Sequence, residues 1–231
     1  MSQNQPHIGI LMLNTRFARP VGDIGNLASY RYRAQIHILE SANVANIVVS
    51  QLAPALIDDV VAAAQNLERQ GANIITTSCG FLAPIQQRVQ SAIRSPFLAS
   101  SLSLMPFLRQ AFGPSSKVGV LTFDSRVLTP NHFNGLYDEN IAISGIEHGC
   151  ELHRVIKGDI PELDQARALE DVLHAAEKLQ AQQVSCILLE CTNLSPYKAQ
   201  LRAHFGLPVF DLVDAIHWLA DAKAGELRLE R

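Results

Sequence analysis

Two stretches decide the fold: Ile74-Ile75-Thr76-Thr77-Ser78-Cys79-Gly80-Phe81-Leu82-Ala83-Pro84 and Cys186-Ile187-Leu188-Leu189-Glu190-Cys191-Thr192-Asn193-Leu194-Ser195-Pro196. Each is a short apolar run that ends on a cysteine, and both fit Cys-x-x-Leu-[Ala/Ser]-Pro. The offset is 191 − 79 = 112, and the same offset carries Ala63-Ala64-Gln65-Asn66-Leu67 onto Ala175-Ala176-Glu177-Lys178-Leu179 and Pro96-Phe97 onto Pro208-Val209. Nearer the start of each half, Ile8-Gly9-Ile10-Leu11-Met12-Leu13-Asn14-Thr15-Arg16 matches Val118-Gly119-Val120-Leu121-Thr122-Phe123-Asp124-Ser125-Arg126 at 118 − 8 = 110. One register therefore relates two halves of the chain, with two residues gained between them. Each half places one thiol at the same point, and such a pair can be presented to one ligand.

Composition narrows the class. At 231 residues the chain is long enough for two domains of about 100 to 120 residues, and the repeat decides for two. With 48% hydrophobic and 18% charged residues it reads as an ordinary globular chain. The net charge is −3 and the 19 basic residues are scattered, so no basic patch points to nucleic acid. The segment from Met1 to His7 is polar and has no charged region followed by an apolar one, so it does not read as a signal peptide, and no apolar run reaches the ~20 residues that span a bilayer. A cytoplasmic location with no membrane partner is the expectation. The four cysteines, at 79, 150, 186 and 191, form no C-x-x-C pair and have no zinc-site spacing, so they read as free thiols with no metal.

Short apolar runs alternate with longer stretches of helical period, which predicts parallel strands joined by crossover helices. The strands are expected at His7 to Leu13, Ile47 to Ser50, Ile74 to Thr77 and Phe97 to Ser100, and in the second half at Lys117 to Thr122, Leu152 to Ile156, Val184 to Leu189 and Pro208 to Phe210. Helices are expected at Pro54 to Gln70, Phe81 to Ile93, Pro161 to Gln180 with Asp159 as N-cap, Pro196 to Phe205 and Asp211 to Leu227. Arg19 to Glu40 opens as an irregular loop, and Asn131 to Gly149 is rich in glycine and polar residues. Both follow the first strand of their half, where loops line the ligand crevice of open parallel sheets.

A cysteine where a strand turns into a helix meets unpaired backbone N–H groups and the positive end of the helix dipole. Both favour thiolate, so a pKa lowered from about 8.5 toward neutrality is expected at Cys79 and Cys191. A thiolate and a thiol on opposite sides of a carbon can take a proton from one face and return one to the other. The same turns offer an anion site: the N–H groups of Gly80, Phe81, Thr192 and Asn193, with the hydroxyls of Thr76, Thr77, Ser78 and Thr192, can cradle a carboxylate. There is no G-x-G-x-x-G fingerprint, no Walker-type loop and no lysine beside either cysteine suited to a Schiff base, so cofactor-free chemistry is the economical reading. Cys150 and Cys186 read as incidental or structural, Arg31, Arg33, His148 and His153 as surface groups, and Tyr30, Tyr32 and Tyr137 as packing residues. Glu190 reads either as a group that tunes Cys191 or as a buried cap.

At these residues the chain resembles the aspartate/glutamate/hydantoin racemase superfamily. The Thr-Ser-Cys-Gly turn at 77 to 80, the Leu-Glu-Cys-Thr-Asn turn at 189 to 193 and the Gly-Asp-Ile-Gly-Asn loop at 22 to 26 carry the resemblance, which covers most of the chain. It implies an α/β fold of two pseudo-symmetric flavodoxin-like parallel-sheet domains, with the active site in the cleft between them. It also implies two cysteines acting as acid and base without pyridoxal phosphate. By matching position these are Cys79 and Cys191, with Asn14 and Thr15 beside the substrate and the C-terminal helix packed back on the first domain. Gly80-Phe81 stands where amino-acid racemases commonly carry Asn-Thr, and Asn193 where glutamate racemases carry histidine.

The domains are expected at 1–102 with 211–231, and at 103–210. The expected activity is a cofactor-independent racemase or epimerase acting on the α-carbon of a small carboxylate, an amino acid or hydantoin. Alternatives are an isomerase of the maleate type, a decarboxylase, or a two-lobed binding protein without catalysis. The expected partner is a small-molecule carboxylate, and an apolar face would permit a homodimer.

Overall fold

Among residues 5–224, which the computed structural model describes, eight strands form two parallel sheets of four. The first contains β1 (His7–Leu13), β2 (Arg33–Leu39), β3 (Ile74–Thr77) and β4 (Phe97–Leu98), in the order β2-β1-β3-β4. The second contains β5 (Val118–Thr122), β6 (Ile141–Gly145), β7 (Cys186–Leu189) and β8 (Val209–Phe210), in the order β6-β5-β7-β8. The two orders are the same once the second half is renumbered. The central strands β3, β5 and β7 are buried along their whole length, as strands covered on both faces must be.

Strand pairing reproduces the sequence repeat. Ile8 pairs with Ile74 and Val118 with Cys186, while Leu11 pairs with Thr77 and Leu121 with Leu189. The first strand of each sheet is thus shifted by 110 and the third by 112, the two offsets found in the sequence. In both sheets the cysteine lies two residues beyond the end of the third strand.

The helices, in chain order, are α1 (Val44–Ile47), α2 (Pro54–Arg69), α3 (Gln86–Gln90), α4 (Met105–Phe112), α5 (Leu152–Gly158), α6 (Gln165–Gln180), α7 (Lys198–Phe205) and α8 (Leu212–Ala224). The long crossovers are built alike: α2 buries Val60, Ala63, Ala64 and Leu67, and α6 buries Val172, Ala175, Ala176 and Leu179, each 112 further along. Small alanines on the inner face let each helix lie close to its sheet. α8 places Leu212, Val213, Ile216 and Ala220 against Ile8, Ile10 and Ile74, so the last described helix closes on the first sheet. The part of the expected final helix beyond Ala224 lies outside the described residues.

Three expectations are corrected. The second strand of each half is not Ile47 to Ser50 or Leu152 to Ile156 but β2 and β6: Ile47 ends α1 and residues 48–50 are bends, while Leu152 to Ile156 lies in α5. Local capping decides this. Asn43 and Asn46 form a reciprocal capping box at α1, and both carboxylate oxygens of Asp171 accept backbone N–H bonds from Cys150, Glu151 and Leu152 at the start of α5. Asp159 does not cap α6. It takes a left-handed conformation at the end of α5, with φ 51°, and its carboxylate accepts the N–H groups of Arg16 and Phe17, while Asp164 caps α6. Finally, each cysteine turn continues as a 3-10 segment, Gly80–Ile85 and Thr192–Tyr197, before its α-helix, with Pro84 and Pro196 inside the segments leaving one donor out of the ladder.

Candidate active site

The two cysteine turns face one another across the line between the sheets. Three contacts fix them there. The Thr192 hydroxyl donates to the carbonyl of Ser78 at 2.7 Å, and the Ser101 hydroxyl donates to the carbonyl of Leu189 at 2.7 Å. The third is the approach of Glu190 to Gly80, where an added Cβ would sit 2.2 Å from Glu190 Oε1 and 2.4 Å from its carbonyl oxygen. No side chain fits at position 80 while Glu190 is there. This is the physical reason for glycine, rather than asparagine, after the first cysteine.

A single cavity is lined by both thiols, and most of its wall comes in pairs related by the repeat. Leu13 and Phe123 leave the first strands, Ser78 and Glu190 precede the cysteines, and Phe81 and Asn193 lie two residues after them. Val44 and Val48 from the α1 segment and Ile156 from α5 close the outer side, with Phe17 and Arg19 from the loop after β1. The free volume is about 20 Å³, room for one or two water molecules. Val48 and Ile156, each from a segment expected as strand, are therefore cavity wall. Pairing also shows where the copies differ: Ser78 against Glu190 and Phe81 against Asn193 make one flank apolar and the other polar.

The electrostatics of the thiols run against the expectation of lowered pKa. Burial pushes the Cys79 thiol up to about 12, and the nearby Glu190 carboxylate adds to this. The backbone N–H of Phe81 and the Arg19 guanidinium pull the other way without prevailing. Cys191 is pushed well up by burial, by Glu190 and by Cys79 itself, against the N–H of Asn193. The expected N–H groups are in place, two residues after each sulfur, but desolvation and a neighbouring carboxylate outweigh them. Glu190 is fully buried and its own carboxyl is pushed up to about 7 by desolvation, opposed by the Thr122 hydroxyl that donates to Oε2 at 2.6 Å. Its other oxygen, Oε1, has no hydrogen-bond partner among the described residues. Two thiols and one carboxyl thus crowd a volume that disfavours negative charge on all three.

Of the residues singled out from the sequence, Cys79, Cys191, Ser78, Gly80, Phe81 and Asn193 line this cavity. The others stand elsewhere. Thr77 is buried behind Cys79, donating to the carbonyl of Ala99 at 2.7 Å and accepting the N–H of Cys79 at 3.3 Å. Thr192 spends its hydroxyl on Ser78. Asn14 is exposed and donates to Glu40 at 2.9 Å, and Thr15 accepts from Arg19 at 2.9 Å, so neither side chain lines the cavity. Arg31 forms an exposed ion pair with Asp221, and Tyr30 and Tyr32 are spent on the carbonyl of Ile24 and on Asp221. His153 stacks on the cavity residue Phe123 with ring centroids 4.7 Å apart. Cys150 is exposed and Cys186 lies within β7.

Sequence reasoning missed a polar chain on the Asn193 flank. The Cys191 thiol donates to Asn193 Oδ1 at 3.6 Å, and Asn193 Nδ2 donates to Asp23 Oδ2 at 2.7 Å. The other oxygen of Asp23 accepts Arg19 Nη1 at 3.0 Å and the N–H of Gly25 at 2.7 Å. The signal was present in the Gly-Asp-Ile-Gly-Asn loop at 22 to 26, whose acidic residue pairs with the arginine four residues before it.

Comparisons with known proteins agree with this architecture. The model of the Asp/Glu/Hydantoin racemase family matches residues 26–220. The chain is 25% identical over 221 residues to the dimethylsulfoniopropionate lyase of Durusdinium sp. clade D, covering 89% of this chain and 71% of that one. It is 26% identical over 224 residues to dimethylsulfoniopropionate lyase 3 of Emiliania huxleyi (strain CCMP1516), covering 91% of this chain and 58% of the relative. The chain therefore spans little more than half the length of that second lyase. Among solved structures, the allantoin racemase from Klebsiella pneumoniae superposes with a TM-score of 0.63 at 16% identity, over 94% of this chain and 87% of that one. Two parallel sheets in one repeated order, a cysteine turn at the end of each third strand and the family match over residues 26–220 lead to one conclusion: the chain belongs to the Asp/Glu/Hydantoin racemase family.

Proposed function

We propose that the protein moves a proton at the α-carbon of a small carboxylate, using Cys79 and Cys191 as the base and the acid, and that it thereby racemises or epimerises its substrate. The observation that carries this reading is the meeting of two repeat-related thiols in one cavity, each with the N–H of the residue two positions on directed at its sulfur. An α-proton beside a carboxylate is a very weak acid, so the site must stabilise the charge that forms as the proton leaves. The polar flank of Asn193 and Arg19 offers donors for that charge. The apolar flank of Phe81, Phe17, Val44 and Val48 keeps water out. In each direction one sulfur must be thiolate and the other thiol. Protonation of Glu190 removes the repulsion that it exerts on both, so its carboxyl is suited to hold the proton that a thiol gives up.

A second reading shares the first step. Five curated relatives match at 25–27% identity, and each is a dimethylsulfoniopropionate lyase. That substrate is a small carboxylate with a sulfonium on the β-carbon. Loss of an α-proton to a thiolate followed by departure of dimethyl sulfide would leave an acrylate. Racemisation and elimination differ only in the fate of the carbanionic intermediate, so the product separates them. Incubating the protein in deuterated water with single enantiomers of aspartate, glutamate and hydantoins, and with dimethylsulfoniopropionate, tests both. Deuterium at the α-carbon with loss of optical activity supports racemisation, and release of dimethyl sulfide supports elimination. Ligand-induced thermal stabilisation with neither would make the protein a binder and contradict both readings.

A further inference from the structure

The Gly-Asp-Ile-Gly-Asn loop at 22 to 26 is spent almost entirely on one side chain. Asp23, with 1% of its side chain exposed, accepts Arg19 Nη1 at 3.0 Å. Gly25 is glycine because a Cβ there would lie 2.7 Å from Arg19 Cδ and 3.0 Å from its Nε. Asn26 donates to the carbonyl of Arg19 at 2.7 Å. Outside the loop, Thr15 accepts Nη2 at 2.9 Å, and the guanidinium carbon stands 4.4 Å from the centroid of the Phe17 ring. The arginine that results is nine-tenths buried, with 9% of its side chain exposed, yet among the described residues its Nε has no hydrogen-bond partner. Burying so many donors and leaving one unspent costs stability unless something else accepts it.

Arg19 also borders the thiol cavity, where it is the one basic residue among the described residues of the wall, and it acts on the charge of Cys79. A carboxylate entering that cavity comes beside two buried thiols and Glu190, which repels it when ionised, so Arg19 is where a positive charge meets it. We infer that Arg19 is the residue that receives the substrate's carboxylate, offering Nε–H and an N–H not taken by Asp23 or Thr15, and so restricts the site to acids. A guanidinium is suited to this because its donors lie in a fixed plane that matches both carboxylate oxygens. Asp23 holds the plane in place and joins it through Asn193 to Cys191, so the carboxylate is oriented relative to the reacting thiol. The inference rests on the reading that the substrate is a carboxylate, and deepens it by naming its receptor.

Alkylation of the cavity thiols tests this without any turnover. Iodoacetate and iodoacetamide transfer the same two-carbon unit to a thiolate with loss of iodide, and differ in bearing a carboxylate or a neutral amide. Rates at Cys79 and Cys191 are read by peptide mass spectrometry, with the exposed Cys150 as internal reference. In Arg19→Gln the iodoacetate-to-iodoacetamide ratio at the cavity thiols is expected to fall roughly tenfold to hundredfold, the range of a charge-assisted hydrogen bond, while the ratio at Cys150 stays put. A change in thiol pKa cancels in this ratio. An unchanged ratio, or equal changes for both reagents, would overturn the assignment. Should Arg19→Gln fail to fold, the unaltered protein still decides: malonate should protect the cavity thiols from iodoacetamide and malonamide should not, and equal protection or none refutes the role. Because neither assay needs catalysis, a protein that prefers acids here but exchanges no α-proton would count against the proposed reaction and leave this receptor standing.

Discussion

Glu190 acts on the charge of both cavity thiols. Its carboxyl is pushed from 4.5 up to about 7, so between those values the folded protein keeps a proton that the unfolded chain releases. Stability therefore falls as pH rises through that window, by about 3 kcal/mol for a shift of this size. Glu190→Gln should flatten that slope, making the variant more stable than the parent above pH 7 in thermal melts across pH. It should also lower the pKa of both thiols, so that iodoacetamide labels Cys79 and Cys191 at lower pH; labelling curves that coincide with the parent's would show that Glu190 does not act on them. Gly80→Ala drives a methyl into the Glu190 carboxyl, and the expected cost is about 1–3 kcal/mol with a large loss of activity. At this scale the sequence was informative about the thiols, because repetition marked them. It was silent on Arg19, whose position depends on a loop that folds back through Asp23 and Asn193, and on the rise in thiol pKa, which comes from burial that no local motif encodes.

Among the elements, the central strands, long helices and cysteine turns were legible because they are continuous apolar runs or strongly periodic helices. The edge strands β2 and β6 were not. β2 alternates polar and apolar residues and is largely half-exposed, and β6 lies in a stretch whose glycines and polar residues read as loop. The apolar runs Ile47 to Ser50 and Leu152 to Ile156 read as strand instead, and each lies between the second strand and the long crossover helix of its half. These runs are apolar because Ile47, Leu152, Val155 and Ile156 pack into the core and Val48 and Ile156 wall the cavity, not because they join a sheet. Asp171 holds the start of α5 by accepting three backbone N–H groups. Asp171→Ala should cost roughly 1–3 kcal/mol and speed hydrogen exchange at residues 150–156, with little change in α6. Uniform acceleration across the second sheet would show that the cap supports more than this wall.

The whole molecule is a symmetric frame around an asymmetric cavity. Both sheets have one strand order and set a thiol at the same point, yet Ser78 corresponds to Glu190, Phe81 to Asn193, and Arg19 to Thr129 of the second half. In the proposed reaction symmetry would supply two thiols, and asymmetry would give the substrate one orientation between them. The halves are pinned near the site by Thr192 to Ser78 and Ser101 to Leu189. Removing both hydroxyls, in Thr192→Val with Ser101→Ala, should cost about 1–3 kcal/mol and loosen the cavity, seen as faster alkylation of Cys79 and Cys191 relative to Cys150. The central claim is that both thiols carry protons to and from one α-carbon. Its most direct test is α-hydrogen exchange in deuterated water for a substrate found in the enantiomer and dimethylsulfoniopropionate panel, compared between the parent, Cys79→Ser and Cys191→Ser. The account predicts net turnover lost in both variants, with exchange surviving at most for one enantiomer in one of them; full exchange and turnover in both single variants would contradict it.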